Sequence, residues 1–190
     1  MPTIRQILGL DLSLNHTGWC SFTVGEPGSL QYGVHDQEKS QRSDLEKMDY
    51  ILNWLEPWLL PDTAVVIEGF AFGARGNAVL QLAGLQYLVR HRLFNKAVPM
   101  KLVTPNQAKK FLTGKYNCDK NLILLKTYRV YGIEVEDDNI ADAINLNKIG
   151  QAFLGLLELD NQAQREVVEE LTRGKVTRKK KSKKTAPATA

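Results

Sequence analysis

Residues 4–19 read IRQILGLDLSLNHTGW, and the punctuation of this stretch decides the fold. The aliphatic run 4–12 has the composition of a buried strand and ends in the polar stretch 13–18. A second β-rich run, 19–24, follows and stops at Gly25-Glu26-Pro27-Gly28, a strong turn signal. A third short strand near 30–35 completes an antiparallel meander. Within this opening, Asp11 lies at the end of an apolar run. A carboxylate is costly to bury unless it is paired, protonated or bound to a metal.

Outward from the meander, Ser43 or Asp44 can cap a helix running to about residue 60. Leu45, Met48, Ile51, Leu52, Leu55 and Leu59 recur along it at helical spacing, and Pro61-Asp62 ends it. Residues 64–67 form a short aliphatic run, as expected of a strand covered on both faces, and deliver Glu68 at its C-terminal end. A helical pattern spans 78–94, residues 100–103 read as another strand, and Thr104-Pro105 opens a helix with Pro at its first position. Helices near 121–131 and 139–157 follow, then an amphipathic segment around 162–171. Strands first and strand–helix alternation afterwards predict an α/β domain over residues 1–172, its mixed sheet flanked by helices.

Charge divides the chain in two. Residues 173–190 hold 8 of the 25 Lys/Arg and no acid, which leaves 17 basic and 21 acidic residues before them. The formal charge of +4 therefore comes from a tail too polar to offset its ordering entropy, and that tail is expected to be disordered. It reads as a phosphate-binding arm or as a solubilising extension. Cys20 and Cys118 stand far apart, and His16, His35 and His91 show no metal-ligand spacing. These fit reduced thiols and ordinary polar roles in a cytoplasmic protein. No apolar stretch reaches the roughly 18–20 residues of a membrane span, and the N-terminus does not read as a secretory signal.

Three acids interrupt apolar surroundings: Asp11, Glu68 after Val65-Val66-Ile67, and Asp142 within Ile140-Ala141-Asp142-Ala143-Ile144. Taken singly, they read as a turn former, a solvated strand end and a helix-surface residue. If the first and fourth strands are neighbours, Asp11 and Glu68 meet at the sheet's C-terminal edge and a helix can bring Asp142 to them. Oxygen ligands without His or Cys favour Mg²⁺, with Mn²⁺ as a substitute. Two such ions about 3.5–4 Å apart can activate a water and stabilise the leaving oxygen of a phosphodiester.

GLDLSLNHTGW resembles the opening motif of the RuvC-type Holliday-junction resolvases of the RNase H-like superfamily. VVIEGFAFGARGNAVLQLAGLQYLV is similar to their second motif, TPNQAKKFLTGKYNCDK to their basic region, and DDNIADAINL to their closing acidic helix. The resemblance covers roughly residues 5–150 and keeps the family's order. It implies an RNase H-like fold and catalytic, metal-binding roles for Asp11, Glu68 and Asp142. The family places an acid or a His three residues before its last Asp. Asn139 stands there, so the fourth ligand is either Asp138, four residues before Asp142 and on its helix face, or the Asn139 carbonyl oxygen.

The resemblance further implies a homodimer acting on branched DNA, four-way junctions in particular, with two Mg²⁺ per site. Lys109, Lys110, Lys115 and Lys120 form the candidate phosphate-binding stretch, Lys109 and Lys120 at the family's spacing. Their bland alternative is an exposed lysine-rich helix face. Phe70, Phe72 and Arg75, on a Gly-rich loop after Glu68, are candidates for contact with unstacked bases, or else core residues. Along the 78–94 helix Val79, Leu82, Gln86, Val89 and Leu93 share a stripe, with Leu85 and Leu88 nearby. That stripe either pairs subunits or packs within one. Two other functions stay open: a broader nuclease acting on flaps and Y-forks, and a catalytically silent DNA-binding module.

Overall fold

The computed structural model describes residues 3–37, 41–69 and 77–173. Its centre is a five-stranded sheet in the order β3-β2-β1-β4-β5, built from β1 (Gln6–Asp11), β2 (His16–Thr23), β3 (Gln31–Asp36), β4 (Thr63–Glu68) and β5 (Met100–Val103). The first three strands are the antiparallel meander. β4 joins β1 in parallel, with Leu10 opposite Ile67, and β5 joins β4 in parallel, with Glu68 opposite Val103. The expected mixed sheet, with the first and fourth strands adjacent, is therefore present.

Strand alternation sorts the side chains into two layers. Leu8, Leu10 and Leu12 of the first strand segment, with Val65 and Ile67, face a core closed by α1 (Asp44–Leu55) and α2 (Asn77–Asn95). Trp19 packs on the same side against Trp54 and Trp58, ring centroids 6.3 and 5.5 Å away. The other face carries α5 (Asp138–Phe153), flanked by α3 (Pro105–Thr113), α4 (Lys120–Tyr131) and α6 (Gln162–Arg173).

Local chemistry sets the helix limits. Ser43 and Thr104 form capping boxes with Glu46 and Gln107, and Asp119 and Asp137 cap α4 and α5 by accepting from backbone N–H groups. α1 stops earlier than the expected residue 60, because Glu56–Trp58 tighten into a 3₁₀ turn around Pro57. α5 ends four residues before the expected 157, with Gly155 just beyond it at φ 72°.

Of the two readings of the α2 stripe, the intramolecular one holds. Leu85, Val89 and Leu93 are fully buried in the α1–α2 core, Leu82 packs on it, and Gly84 faces the Met48 side chain. The outward face instead carries Leu80, Tyr87 and Phe94, which are 72%, 62% and 74% exposed.

Candidate functional site

The alternation that sends Leu10 and Ile67 into one core places Asp11 and Glu68 on the opposite face, side by side at the ends of parallel strands. There they meet α5, which lies on the sheet at unusually short range. A Cβ on Gly9 would fall within 3.0 Å of the Ala143 carbonyl oxygen and the Asn147 nitrogen. A Cβ on Gly18, the cross-strand partner of Asp11, would strike the Asn139 carbonyl. Farther along, a Cβ on Gly150 would meet Ile7 and Val66 methyls at 2.8 Å. The N-terminal turn of α5, with Asp138, Asn139 and Asp142, is thus pressed onto the end of β1.

Buried amides lock this docking. Asn147 donates to the Ile7 and Cys20 carbonyls at 2.8 and 2.9 Å and accepts from Gln151 at 2.7 Å. Asn145 donates to the Ala108 carbonyl of α3 and accepts from the Tyr131 hydroxyl. On the other side of the sheet, the buried Gln86 of α2 donates to the backbone carbonyl of Glu68 at 2.8 Å, which anchors the end of β4. Gln86 stands out in the sequence as a member of the α2 stripe, whereas Asn145, Asn147 and Gln151 do not, because a polar residue in a helix carries no sign of the strand carbonyl it will meet.

Glu68, Asp138 and Asp142 line a pocket of about 220 Å³ together with Lys109, Lys120, Cys118, Asp119, Pro105 and Ile123. Burial, reinforced by repulsion from Glu68, Asp142 and Asp138, holds the Asp11 carboxyl well above the ordinary range. Burial and the neighbouring Asp142 push Glu68 up to about 7, against the pull of Lys109. Burial and Asp138 push Asp142 up to about 6, with Lys109 and Lys120 opposing. Among the described residues, no hydrogen bond or ion pair reaches the side-chain oxygens of Asp11, Glu68 or Asp142. Asp138 is ion-paired with Lys120, whereas the Asn139 amide is turned to Asp137 at 3.0 Å.

Unpaired, mutually repelling carboxylates with only oxygen donors suit a hard divalent cation. Among the described residues, however, no three Asp, Glu, His or Cys side chains are grouped tightly enough to hold an ion between them. The four acids share a site without forming a ready-made coordination sphere.

The predicted cations separate. Lys109 and Lys120 line the acid pocket, and Lys115 is exposed on the loop between α3 and α4. Lys110 does not belong with them. It is 6% exposed, with its ammonium 2.6 Å from Glu166 and 3.9 Å from Glu170 of α6, and it donates to the Tyr116 hydroxyl at 2.7 Å. These partners raise its pKa and keep it charged, so it is a buried clamp between helices rather than a phosphate contact. Phe70, Phe72 and Arg75 lie outside the described residues, as does the tail from 174 to 190. Among the described residues no helix is long and apolar enough to cross a membrane.

No family model matches the sequence. Among solved structures, the chain is similar to Thermus thermophilus RuvC, with a TM-score of 0.59 and 21% identity over 80% of this chain and 97% of that one. It is also similar to T. thermophilus RuvC in complex with a Holliday junction substrate, with a TM-score of 0.58, 19% identity, and coverage of 80% and 96%. The fold is therefore the RNase H-like fold seen in RuvC.

Proposed function

We propose that this chain, with the fold of RuvC, is a divalent-metal-dependent endonuclease that cuts branched DNA, four-way junctions above all, by paired symmetric nicks. The observation that carries this reading is the trio Asp11, Glu68 and Asp142. They are partly buried, mutually repelling and, among the described residues, without a hydrogen-bond or ion-pair partner, and they stand near Lys109 and Lys120. A purely structural role would have given such buried carboxylates hydrogen-bond or ion-pair partners. Two Mg²⁺ ions, or Mn²⁺ in their place, would supply an activated water and neutralise the departing 3′ oxygen.

The chain's own part is positional. Asp11, Glu68 and Asp142 would hold the ions. The fourth ligand would be supplied by Asp138, which would have to leave Lys120, or by the Asn139 side-chain oxygen, which the bond from its NH2 group to Asp137 leaves open. Lys109 and Lys120, which line the acid pocket, contact phosphate near the cut, and the products carry 5′-phosphate and 3′-hydroxyl ends. Phe70, Phe72 and Arg75 remain candidates for contact with unstacked bases, and the basic tail for phosphate.

A labelled immobile junction, a Y-fork and a linear duplex, each incubated with Mg²⁺ or EDTA, test the reading. Paired metal-dependent nicks in the junction support a resolvase. Equal cutting of forks and flaps makes the protein a general debranching nuclease, and junction binding without cutting under any metal leaves only a binding module.

The two adjacent lysines of α3 should behave oppositely. Lys109→Ala should reduce the slope of log affinity against log salt by about 0.9, the loss of one phosphate contact, with little change in Tm. Lys110→Ala should leave that slope alone and cost about 1–3 kcal/mol of stability, because it removes the clamp on Glu166 and Tyr116. Identical salt slopes for Lys109→Ala and the parent would remove Lys109 from the phosphate path.

Two symmetric cuts require two sites related by a twofold axis, which a homodimer supplies. The exposed face of α2, with Leu80, Tyr87 and Phe94 one heptad apart, is the surface proposed for that pairing. Replacing Leu80 and Phe94 together with Glu should shift the sedimentation of a dimeric parent to that of a monomer. It should also convert paired nicks into single ones. A double variant that remains a dimer places the interface elsewhere.

A further inference from the structure

We propose that Tyr116, held on the α6 side of α3 beside the loop that borders the carboxylate pocket, is a stacking platform for an unpaired base of branched DNA. The inference rests on the nuclease reading above. Tyr116 stands in the loop joining α3 to α4, and that loop is pinned at both ends. Gly114 closes α3 at φ 76°, and Asp119 opens α4 by accepting from the Leu122 N–H at 2.8 Å. Between them, the Thr113 hydroxyl accepts from the Lys115 N–H at 3.1 Å. Cys118, Asp119 and Lys120 of this segment line the pocket that contains Glu68, Asp138 and Asp142. Two chain steps limit the distance between the Tyr116 and Cys118 Cα atoms to about 7.6 Å.

Tyr116 is 50% exposed, with exposed Lys115 and Asn117 on either side of it. It is nevertheless held in place. The Lys110 ammonium donates to its hydroxyl at 2.7 Å and lies 4.7 Å from the ring centroid, and that ammonium is itself fixed by Glu166 of α6. A buried cation tied to another helix thus orients an aromatic ring that remains open to solvent. A ring ordered in advance loses little entropy when it stacks. Every base offers a π-face, so such a platform selects unpaired nucleotides without selecting sequence. A branch point or a flap supplies them, whereas a continuous duplex keeps its bases stacked on one another.

The test uses the full chain in EDTA, with a Y-fork carrying 2-aminopurine at its first unpaired position and a duplex as control. Tyr116→Ala should weaken fork binding roughly 5- to 100-fold and abolish quenching of the 2-aminopurine, with duplex affinity unchanged and a Tm close to that of Tyr116→Phe, which loses the same bond to Lys110. Tyr116→Phe should keep both fork signals, because the ring survives. Fork affinity of Tyr116→Ala within about twofold of the parent overturns the proposal. So does a loss in Tyr116→Phe as large as in Tyr116→Ala, which would assign the effect to the hydroxyl's bond with Lys110. A fall in fork and duplex binding together with a Tm below that of Tyr116→Phe also overturns it, since the ring would then be supporting the loop. If the parent binds neither substrate, the nuclease reading fails along with this one.

Discussion

Asp11→Asn is expected to abolish metal-dependent junction cutting, by a factor on the order of 10³ or more, while raising the stability of the metal-free protein. The two effects share one cause. Asp11, Glu68 and Asp142 all have folded-state pKa values raised above those of an unfolded chain. Through these three groups the native state binds more protons than the unfolded state between pH about 4 and about 7. Their contribution to stability therefore falls as pH rises through that window, against the smaller opposite contributions of Glu46, Glu56 and Glu166 and of His35. Each pH unit of displacement is worth about 1.4 kcal/mol. The metal-free parent should lose several degrees of Tm from pH 4 to pH 7, and Mg²⁺ should restore part of the loss at pH 7. In Asp11→Asn the fall should be shallower and the response to Mg²⁺ smaller. Thermal melts across pH with and without Mg²⁺, beside the cutting assay, read all of this. A variant that cuts like the parent removes Asp11 from the chemistry. One that melts with the parent's full pH slope shows that its carboxyl is not under the repulsion described.

The three acids could be picked out in the sequence because each breaks a local apolar pattern, and the strand order because periodicity and turn residues act over a few positions. Distinguishing Lys109 from Lys110 was a different matter. Neighbours on a helix point about 100° apart, so one of two adjacent lysines faces the acid pocket and the other faces α6. The choice is made by Glu166 and Glu170, more than fifty residues downstream, and no local pattern announces them. The outward stripe of α2 was obscured in the same way. Its buried and exposed faces are both apolar, and only the position of α1 shows which is which. β2 begins three residues earlier than its composition indicated. The buried Thr17 hydroxyl donates to the Ser13 carbonyl at 2.6 Å and closes the turn tightly enough for His16 to pair with Asp36.

Gly18 shows how far the acid site depends on backbone rather than on side chains. It is the cross-strand partner of Asp11, and its missing Cβ is where the Asn139 carbonyl of α5 comes to rest. A methyl group there cannot be relieved by a change of rotamer, because the opposing atoms are main chain. Gly18→Ala should therefore lift the first turn of α5 off the sheet, and with it Asp138 and Asp142, at a cost of about 1–3 kcal/mol. Displacing reacting groups by an ångström can cost about 10²-fold in rate, so cutting should fall by roughly that factor even well below the melting temperature. Gly9→Ala provides the comparison. Its clash, with Ala143 and Asn147, is also with main chain but lies one turn farther from Asn139, so it should destabilise as much while leaving more of the cutting intact. If both variants lose stability and cutting in the same proportion, the glycines serve packing alone. A larger loss of cutting in Gly18→Ala at equal stability would mean that the close seat of α5 on β2 aligns the carboxylates.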